Sequence, residues 1–219
     1  ITPWHIYASR MAWEANLSLL FLTLGIYLMM KRKLLSSLIL VISMYGYHTE
    51  WLLTPLLIFI GGLFYFKKDK WKFWILSFLI ALPLIIDYIF NAGAASRAKT
   101  EPIWAISNIT PLKMLGIFIR NYITYFNPKI LFLNGLNILS KNNPFTPGLF
   151  LWPTIIPMLI GFKKIKNNFF YIWLFLSPLT AALTQGDFGL IRNLNTVIPL
   201  IILVAIGINK MNKIWWSLV

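Results

Sequence analysis

The charged residues that could do chemistry begin near the start of the chain, where Arg10 and Glu14 precede a long apolar run. Their spacing of four residues places both side chains on one face of a helix. An ionisable pair at the edge of a membrane span is unfavourable to keep, so it is a functional-site hypothesis by default. A purely structural ion pair is the alternative, although Arg before Glu is the weaker order for stabilising a helix.

Two later segments contribute residues of the same kind. The YGYHTE segment contains His48 and Glu50, and the GDFGLIRN segment contains Asp187 and Arg192. A carboxylate can act as a general base, or its oxygens can bind a divalent cation. A divalent cation is therefore a candidate cofactor, and no other cofactor is expected. Arginines suit a phosphate or pyrophosphate group, which they bind through two parallel hydrogen bonds.

The candidate site combines these groups with ionisable residues nearby. Simpler interpretations stay open: His5 as an interfacial residue, His48 as a turn residue, and Arg192 as the end of the last span. Most basic residues between 91 and 148 are interpreted as attracting anionic lipid headgroups, and no residue is assigned as a metal ligand. The candidate catalytic residues are Glu14 and Arg10, and the candidate substrate-binding residues are Arg192, His48, Arg97, His5, Glu50 and Asp187.

The composition predicts that membrane helices position these residues. The chain is 58% hydrophobic and 12% charged, whereas a soluble domain is about 25% charged. Such a chain cannot cover a water-facing surface, and its mean hydropathy of +0.72 agrees with this. We therefore expect an all-α, polytopic integral membrane protein.

The net charge of +14 has a topological explanation. In a soluble protein it would indicate nucleic-acid binding, but the positive-inside rule already requires Lys and Arg in cytoplasmic loops. Nucleic acid is therefore not an expected partner. The chain has no cysteine, which excludes disulfides and thiolate metal sites, and two histidines are too few for a histidine cage.

Seven apolar runs are predicted to cross the membrane, although several are shorter than the roughly 17–25 residues of a usual span. Lysine and arginine clusters follow alternate runs, which places those loops in the cytoplasm and the others on the outer face. The predicted spans are 12–30, 34–48, 51–66, 73–90, 149–162, 169–185 and 194–209.

The whole chain, 1–219, is predicted to be a single membrane domain with one long exoplasmic segment at 91–148. Apolar residues recur at helical spacing in 111–126, which predicts an amphipathic helix in the interface.

Five of the six acidic residues fall on or near the outer side. Apolar grooves between spans suit a polyprenyl tail, so the pattern favours chemistry on a lipid-linked phosphate. The five acidic residues are Glu14, Glu50, Asp87, Glu101 and Asp187.

Three segments resemble the polytopic glycosyltransferases of the GT-C class, in particular bacterial and archaeal relatives of dolichyl-phosphate-mannose protein mannosyltransferases. TPWHIYASRMAWEANLSLLFLTLGIYL at 2–28 resembles a stretch that leads into a span. The segment at 125–162, with its LFLNG sequence, resembles an outer segment before a later span. GDFGLIRNLNTVIPLIILVAIGI at 186–208 resembles a loop with an arginine, followed by a proline-bearing span. The resemblance covers nearly the whole chain.

The resemblance implies transfer of a sugar from a polyprenyl-phosphate donor to a glycan, lipid or protein acceptor outside the cytoplasm. It matches Arg10 and Glu14 to arginine and acidic positions of the outer face, and Arg192 to an arginine that meets the lipid phosphate. The acidic first outer loop of the family has no counterpart here, and the chain opens on Ile1. We therefore expect the middle and later part of such an enzyme, with Glu14 supporting a base that lies elsewhere.

Two other functional classes stay open. A transporter or flippase of lipid-linked or anionic solutes would place ionisable residues near mid-span and would have related halves, whereas here the charges gather at one face. A non-enzymatic membrane assembly subunit is the third class. In the favoured interpretation the protein lies in the plasma membrane, with membrane lipids as partners and its active face exoplasmic.

Overall fold

The structure is a computed structural model that describes residues 14–91, 100–134, 148–185 and 191–216. Every named element in these ranges is helical, and an isolated β-bridge joins Pro102 to Thr184. The all-α prediction is therefore confirmed for this part of the chain. The α-helices are α1 (Glu14–Met30), α2 (Leu35–Gly46), α3 (Glu50–Gly61), α4 (Lys70–Phe90), α5 (Pro111–Thr124), α6 (Ile155–Lys164), α7 (Asn168–Leu176), α8 (Leu179–Ala182) and α9 (Val197–Trp216).

Helices α1 and α2 form an antiparallel hairpin around a basic turn. Gly25 on α1 faces Leu40 on α2, and Gly46 at the end of α2 faces Ser18 on α1. The Ser18 hydroxyl donates a hydrogen bond to the Ser43 carbonyl at 2.7 Å. Small residues and interhelical hydrogen bonds are the usual means by which helices associate in apolar surroundings.

Helices α3 and α4 form a second antiparallel hairpin within one continuous helical run. The chain reverses near Lys67, whose φ of 32° lies in the left-handed region. The ring centroids of Trp51 and Tyr88 lie 5.0 Å apart, and those of Phe59 and Trp74 also lie 5.0 Å apart. Residues near the start of α3 therefore pack beside the end of α4, which brings both ends of the hairpin together.

Two helical runs are long and apolar enough to cross a membrane, namely Glu50–Phe90 and Leu194–Met211. The first is the α3–α4 hairpin, whose second arm of 21 residues spans about 32 Å at about 1.5 Å per residue. The hydrocarbon core of a bilayer is about 30 Å thick. Several other apolar helices are shorter, with 10–17 residues, so the seven-span topology stays a prediction.

Helices α6 and α9 pack closely and run antiparallel. A side chain at Gly161 would meet the backbone of Leu203, and one at Gly207 would meet the backbone of Pro157. The predicted topology had 149–162 and 194–209 running in the same direction across the membrane, so this part of it is wrong. Helix α6 has only 10 residues, and Gly161 and Gly207 are the positions at which it approaches α9 most closely among the glycine contacts.

The core lies where α1, α2, α3, α7 and α9 meet, while large apolar side chains cover the periphery. Leu22, Leu53 and Phe169 are fully buried in the core cluster. On the outside, Leu20 of α1 and Phe78 of α4 are more than half exposed. Extensive apolar exposure indicates a surface that another apolar phase covers, in agreement with the helical runs that are long enough to span a membrane.

Helix α5 confirms the amphipathic helix predicted in the long segment. The Thr110 side chain caps it by accepting a hydrogen bond from the Lys113 backbone, and Pro111 occupies its first turn. One face packs on α8 through Phe118 and Tyr122. Apolar residues beside this face are exposed, of which Leu112 is 81% exposed.

Candidate functional site

Four of the predicted site residues, His5, Arg10, Arg97 and Asp187, lie outside the described residues. The structure places the other four, and it does not bring all of them together. Glu14 is an exposed residue in the first turn of α1. It lines a small pocket of about 180 Å³ that His48 also lines.

The site is built where three distant segments of the chain meet. The Ile103 backbone N–H donates to the Leu183 carbonyl at 2.9 Å, and the Gln185 backbone N–H donates to the Glu101 carbonyl at 2.7 Å. The Gln185 side chain also donates to the Pro102 carbonyl at 2.8 Å. These bonds fix the segment around Glu101 against the residues that follow α8.

Glu101 is the centre of the resulting cluster. Its Oε2 lies 3.3 Å from His48 Nε2, in the turn between α2 and α3, and 3.7 Å from Arg192 Nη2, just before α9. All three side chains are only partly exposed, with 27% of the Glu101 side chain accessible. A carboxylate between an imidazole and a guanidinium is an arrangement suited to proton transfer next to a fixed positive charge.

The guanidinium of Arg192 is held in a fixed orientation. Its Nη1 donates to Thr184 Oγ1 at 3.2 Å and to the Gln185 carbonyl at 3.0 Å. An arginine has five N–H donors, so these bonds leave donors for a further partner. The structure therefore brings together two of the predicted residues, His48 and Arg192, with Glu101 between them.

Glu50 does not belong to this cluster. Its side chain is buried in the bundle with 1% exposure, and its Oε2 accepts a hydrogen bond from Thr54 Oγ1 at 2.9 Å. The Asn195 side chain forms a second hydrogen bond to it, and Ser43 contacts Thr54 at 3.2 Å. Protein donors therefore hold the Glu50 carboxylate inside the bundle, apart from the Glu101 cluster, and its role as a substrate-binding residue stays a prediction.

A cavity of about 460 Å³ opens beside the Glu101 cluster. This volume lies within the range of roughly 300–1,000 Å³ typical of small-molecule sites. One part of its lining is polar and the rest is aliphatic and aromatic. The polar lining residues are His48, Thr49, Glu101, Thr180 and Thr184, and the aromatic ones are Trp51, Tyr88 and Trp104.

The candidate divalent cation stays a prediction. Within the described ranges, no group of three or more His, Cys, Asp or Glu side chains converges. The oxygen of Glu101 that faces His48 also faces Arg192 at 3.7 Å, and the guanidinium would repel a cation placed at that oxygen.

Helix α5 supports the site from the side. Its Asn121 side chain donates to the carbonyls of Ala182 and Thr184 at 3.4 and 3.3 Å. The Tyr122 hydroxyl donates to the Phe175 carbonyl at 2.7 Å, and burial raises the pKa of Tyr122, so the hydroxyl keeps the proton that it donates. These bonds fix the position of the chain that carries Thr184.

Glu101 is one of the predicted outer acidic residues, but it is not among the predicted site residues. No local pattern marks it, because its place depends on the pairing of Pro102 with Thr184. Thr49 and Thr180, which line the cavity, were also missed. Their residue type is common in helices and turns and carries no specific signal.

Comparison with known proteins gives no relative. No family model matches the chain, and neither a curated protein nor a solved structure matches it at a significant level.

Proposed function

We propose that the protein is a membrane glycosyltransferase that moves a sugar from a polyprenyl-phosphate donor to an acceptor hydroxyl at the outer face of the plasma membrane. The observation that carries the proposal is the His48–Glu101–Arg192 cluster at the polar part of a largely apolar cavity. The resemblance of three segments to GT-C glycosyltransferases supports the same reaction class. The family relationship is part of the proposal.

In the proposed reaction the Glu101 carboxylate takes the proton of the acceptor hydroxyl. The acceptor oxygen then bonds to the anomeric carbon of the sugar. The bond between that carbon and the phosphate oxygen breaks, and its electron pair leaves with the polyprenyl phosphate. General base assistance of this kind contributes about 10²–10⁴-fold to a rate.

His48 and Arg192 have separate roles in this reaction. Arg192 neutralises the charge that develops on the leaving phosphate, a type of stabilisation that is often the largest contribution to catalysis. Its bonds to Thr184 and Gln185 hold the guanidinium ready for that role. His48, at 3.3 Å from Glu101, orients the carboxylate and accepts or returns its proton. Glu14 is assigned as a secondary acidic group beside His48.

The test uses vesicles that contain the full-length protein and a radiolabelled polyprenyl-phosphate mannose. Label is followed from the polyprenyl phosphate into glycan, lipid and protein fractions. We expect transfer by the wild type and its loss in Glu101→Gln. The matched control is Asp87→Asn, since Asp87 is an exposed carboxylate that bonds only to its helix neighbour Asn91 among the contacts described. Equal transfer by wild type and Glu101→Gln would refute the role of Glu101.

A transporter or flippase of lipid-linked or anionic solutes is the second candidate. Glu50 favours it, because an ionisable residue buried in a bundle of apolar helices frequently marks a transport pathway. The same vesicles distinguish the two functions. In a flippase the label crosses between leaflets while it remains on the polyprenyl phosphate, and Glu50→Gln reduces that movement.

A further inference from the structure

The long segment 91–148 carries a positive charge that the positive-inside rule does not explain. It contains six basic residues and one acidic residue, Glu101. The rule places such charge in cytoplasmic loops, whereas this segment is predicted to be exoplasmic. Glu101 also lines one cavity with Trp51 and Tyr88, at the end of the α3–α4 hairpin opposite to the basic turn at Lys67. The surplus of positive charge therefore indicates a negatively charged partner at this end of the molecule.

Helix α5 carries two of these basic residues beside an apolar stripe. At about 100° per residue, four large apolar side chains fall within an arc of about 80° around its axis, and each is at least 45% exposed. Lys113 and Arg120, both exposed, lie on the side of this stripe away from Phe118 and Tyr122, which pack on the bundle. An apolar stripe flanked by cations is typical of a helix on an anionic membrane surface. The α5 stripe consists of Leu112, Leu115, Ile119 and Ile123.

Hydrogen bonds fix which side of α5 faces the bundle. The Asn121 side chain donates to the Ala182 and Thr184 carbonyls at 3.4 and 3.3 Å, and the Tyr122 hydroxyl donates to the Phe175 carbonyl at 2.7 Å. The α5 stripe is therefore held away from these contacts. Exposed apolar side chains next to helical runs that are long enough to span a membrane indicate contact with another apolar phase.

The same hydrogen bonds connect α5 to the candidate site. The carbonyl of Thr184 accepts from Asn121, while its hydroxyl accepts a hydrogen bond from Arg192 Nη1 at 3.2 Å. The backbone N–H of Gln185, the next residue, donates to the Glu101 carbonyl at 2.7 Å. A shift of α5 is therefore transmitted to Glu101 and Arg192 through two adjacent residues.

We propose that α5 is a docking helix for anionic phospholipid. The α5 stripe inserts among the acyl chains, Lys113 and Arg120 bind headgroup phosphates, and the docked helix stabilises the segment that orients Arg192. A bilayer is favoured over a protein partner because exposed apolar side chains, such as Phe78 of α4, also cover the periphery of the neighbouring bundle. The inference does not depend on the proposed reaction, since lipid docking requires neither a sugar nor an acceptor.

The first test places a fluorophore in the α5 stripe. The chain has no cysteine, so a Leu115→Cys variant of the full chain takes a single label. In vesicles of phosphatidylcholine and phosphatidylglycerol, quenching by spin-labelled phosphatidylglycerol is compared with quenching by spin-labelled phosphatidylcholine. Each Lys or Arg near an anionic surface contributes about 1 kcal/mol, so we expect about fivefold stronger quenching by the anionic lipid.

The preference for the anionic lipid should disappear when Lys113→Gln and Arg120→Gln are combined. The matched control combines Lys67→Gln and Lys68→Gln, which removes the same charge at the opposite end of the α3–α4 hairpin and should retain the preference. Equal quenching by the two lipids in the wild type, or quenching by neither, would overturn the proposal.

The second test measures the link to the site by amide hydrogen exchange. Peptides that cover 179–185 should exchange about fivefold faster in phosphatidylcholine alone than with phosphatidylglycerol present, whereas peptides from α2 should exchange equally in both. Exchange of 179–185 that is independent of the lipid would overturn the link between α5 docking and Arg192. The expected quenching and exchange, combined with no sugar transfer in any vesicle, would refute the proposed enzyme and leave this inference standing.

Discussion

Glu50 and Glu101 are two carboxylates on the same side of the molecule, yet their surroundings have opposite characters. Glu50 is 1% exposed and accepts hydrogen bonds from the neutral side chains of Thr54 and Asn195. Glu101 retains 27% exposure of its side chain, lies at ion-pair distance from His48 and Arg192, and borders a cavity.

The two carboxylates differ in the groups that surround them. The protein supplies hydroxyl and amide donors to Glu50, so its role is to connect α3 with the start of α9. Glu101 has ionisable neighbours, since its Oε2 faces His48 and Arg192, and its side chain is partly exposed. A partly exposed carboxylate that lines a cavity is the one that can act on a ligand.

The largest expected effect is on the chemistry of Glu101. Glu101→Gln should lower the rate of sugar transfer by about 10²–10⁴-fold, because an amide cannot accept the acceptor proton. Thermal unfolding in detergent should stay at the wild-type temperature, since the Glu101 backbone contacts to Gln185 remain. A large loss of thermal stability in this variant would instead assign Glu101 the structural role given to Glu50.

Removal of the positive charge beside Glu101 should have the next largest effect. Arg192→Ala is expected to reduce transfer by about 10²–10³-fold, since the leaving phosphate then lacks its preorganised donors. Single-turnover measurements on the lipid-linked donor separate this chemical effect from weaker donor binding. Arg192→Lys keeps the charge and should recover part of the rate, and an unchanged rate in Arg192→Ala would remove Arg192 from the reaction.

Substitution of Glu50 should change the stability of the fold. Glu50→Ala leaves Thr54 and Asn195 without their shared acceptor, so the free energy of unfolding should fall by about 1–3 kcal/mol. Glu50→Gln retains a carbonyl acceptor and should lose less. Equilibrium unfolding in mixed micelles checks both variants. Unchanged stability in Glu50→Ala, combined with lost solute movement, would favour the transporter.

The smallest expected effect comes from the contact that holds the Glu101 segment. Gln185→Ala removes side-chain hydrogen bonds to the Thr100 and Pro102 carbonyls, each worth about 1 kcal/mol. We expect a loss of transfer of about tenfold, with the free energy of unfolding lowered by about 1–2 kcal/mol. Asn167→Ala, which removes a distant contact to Tyr65, is the control and should leave the rate of transfer unchanged.

The sequence predicted the positions of the helices better than it predicted how the helices pack against one another. Apolar spacing and the Thr110–Pro111 start signal located α5, and lysine clusters located the turn between α3 and α4. The direction of α6 against α9 was predicted wrongly, because it depends on close contacts at Gly161 and Gly207 rather than on hydropathy.

The sequence predicted only part of the candidate site, again because some of its contacts depend on how distant segments pack. His48 and Arg192 were selected because ionisable residues next to apolar runs are conspicuous in sequence. Glu50, two residues after His48, was selected on the same grounds but points into the bundle, where Thr54 and Asn195 bind it. Glu101 could be recognised only after the Pro102–Thr184 bridge placed it beside the other two.

The bridge between Pro102 and Thr184 also determines when the cavity can form during synthesis of the chain. Glu101 leaves the ribosome long before Arg192, which is encoded roughly 90 residues later, and elongation at about 5–20 residues per second makes the interval about 5–18 s. During this time α1–α4 can already occupy the membrane, while the wall of the cavity formed by Thr180, Leu183 and Thr184 does not yet exist. The cavity is therefore completed late in biosynthesis, and a nascent chain stalled before the bridge would lack it.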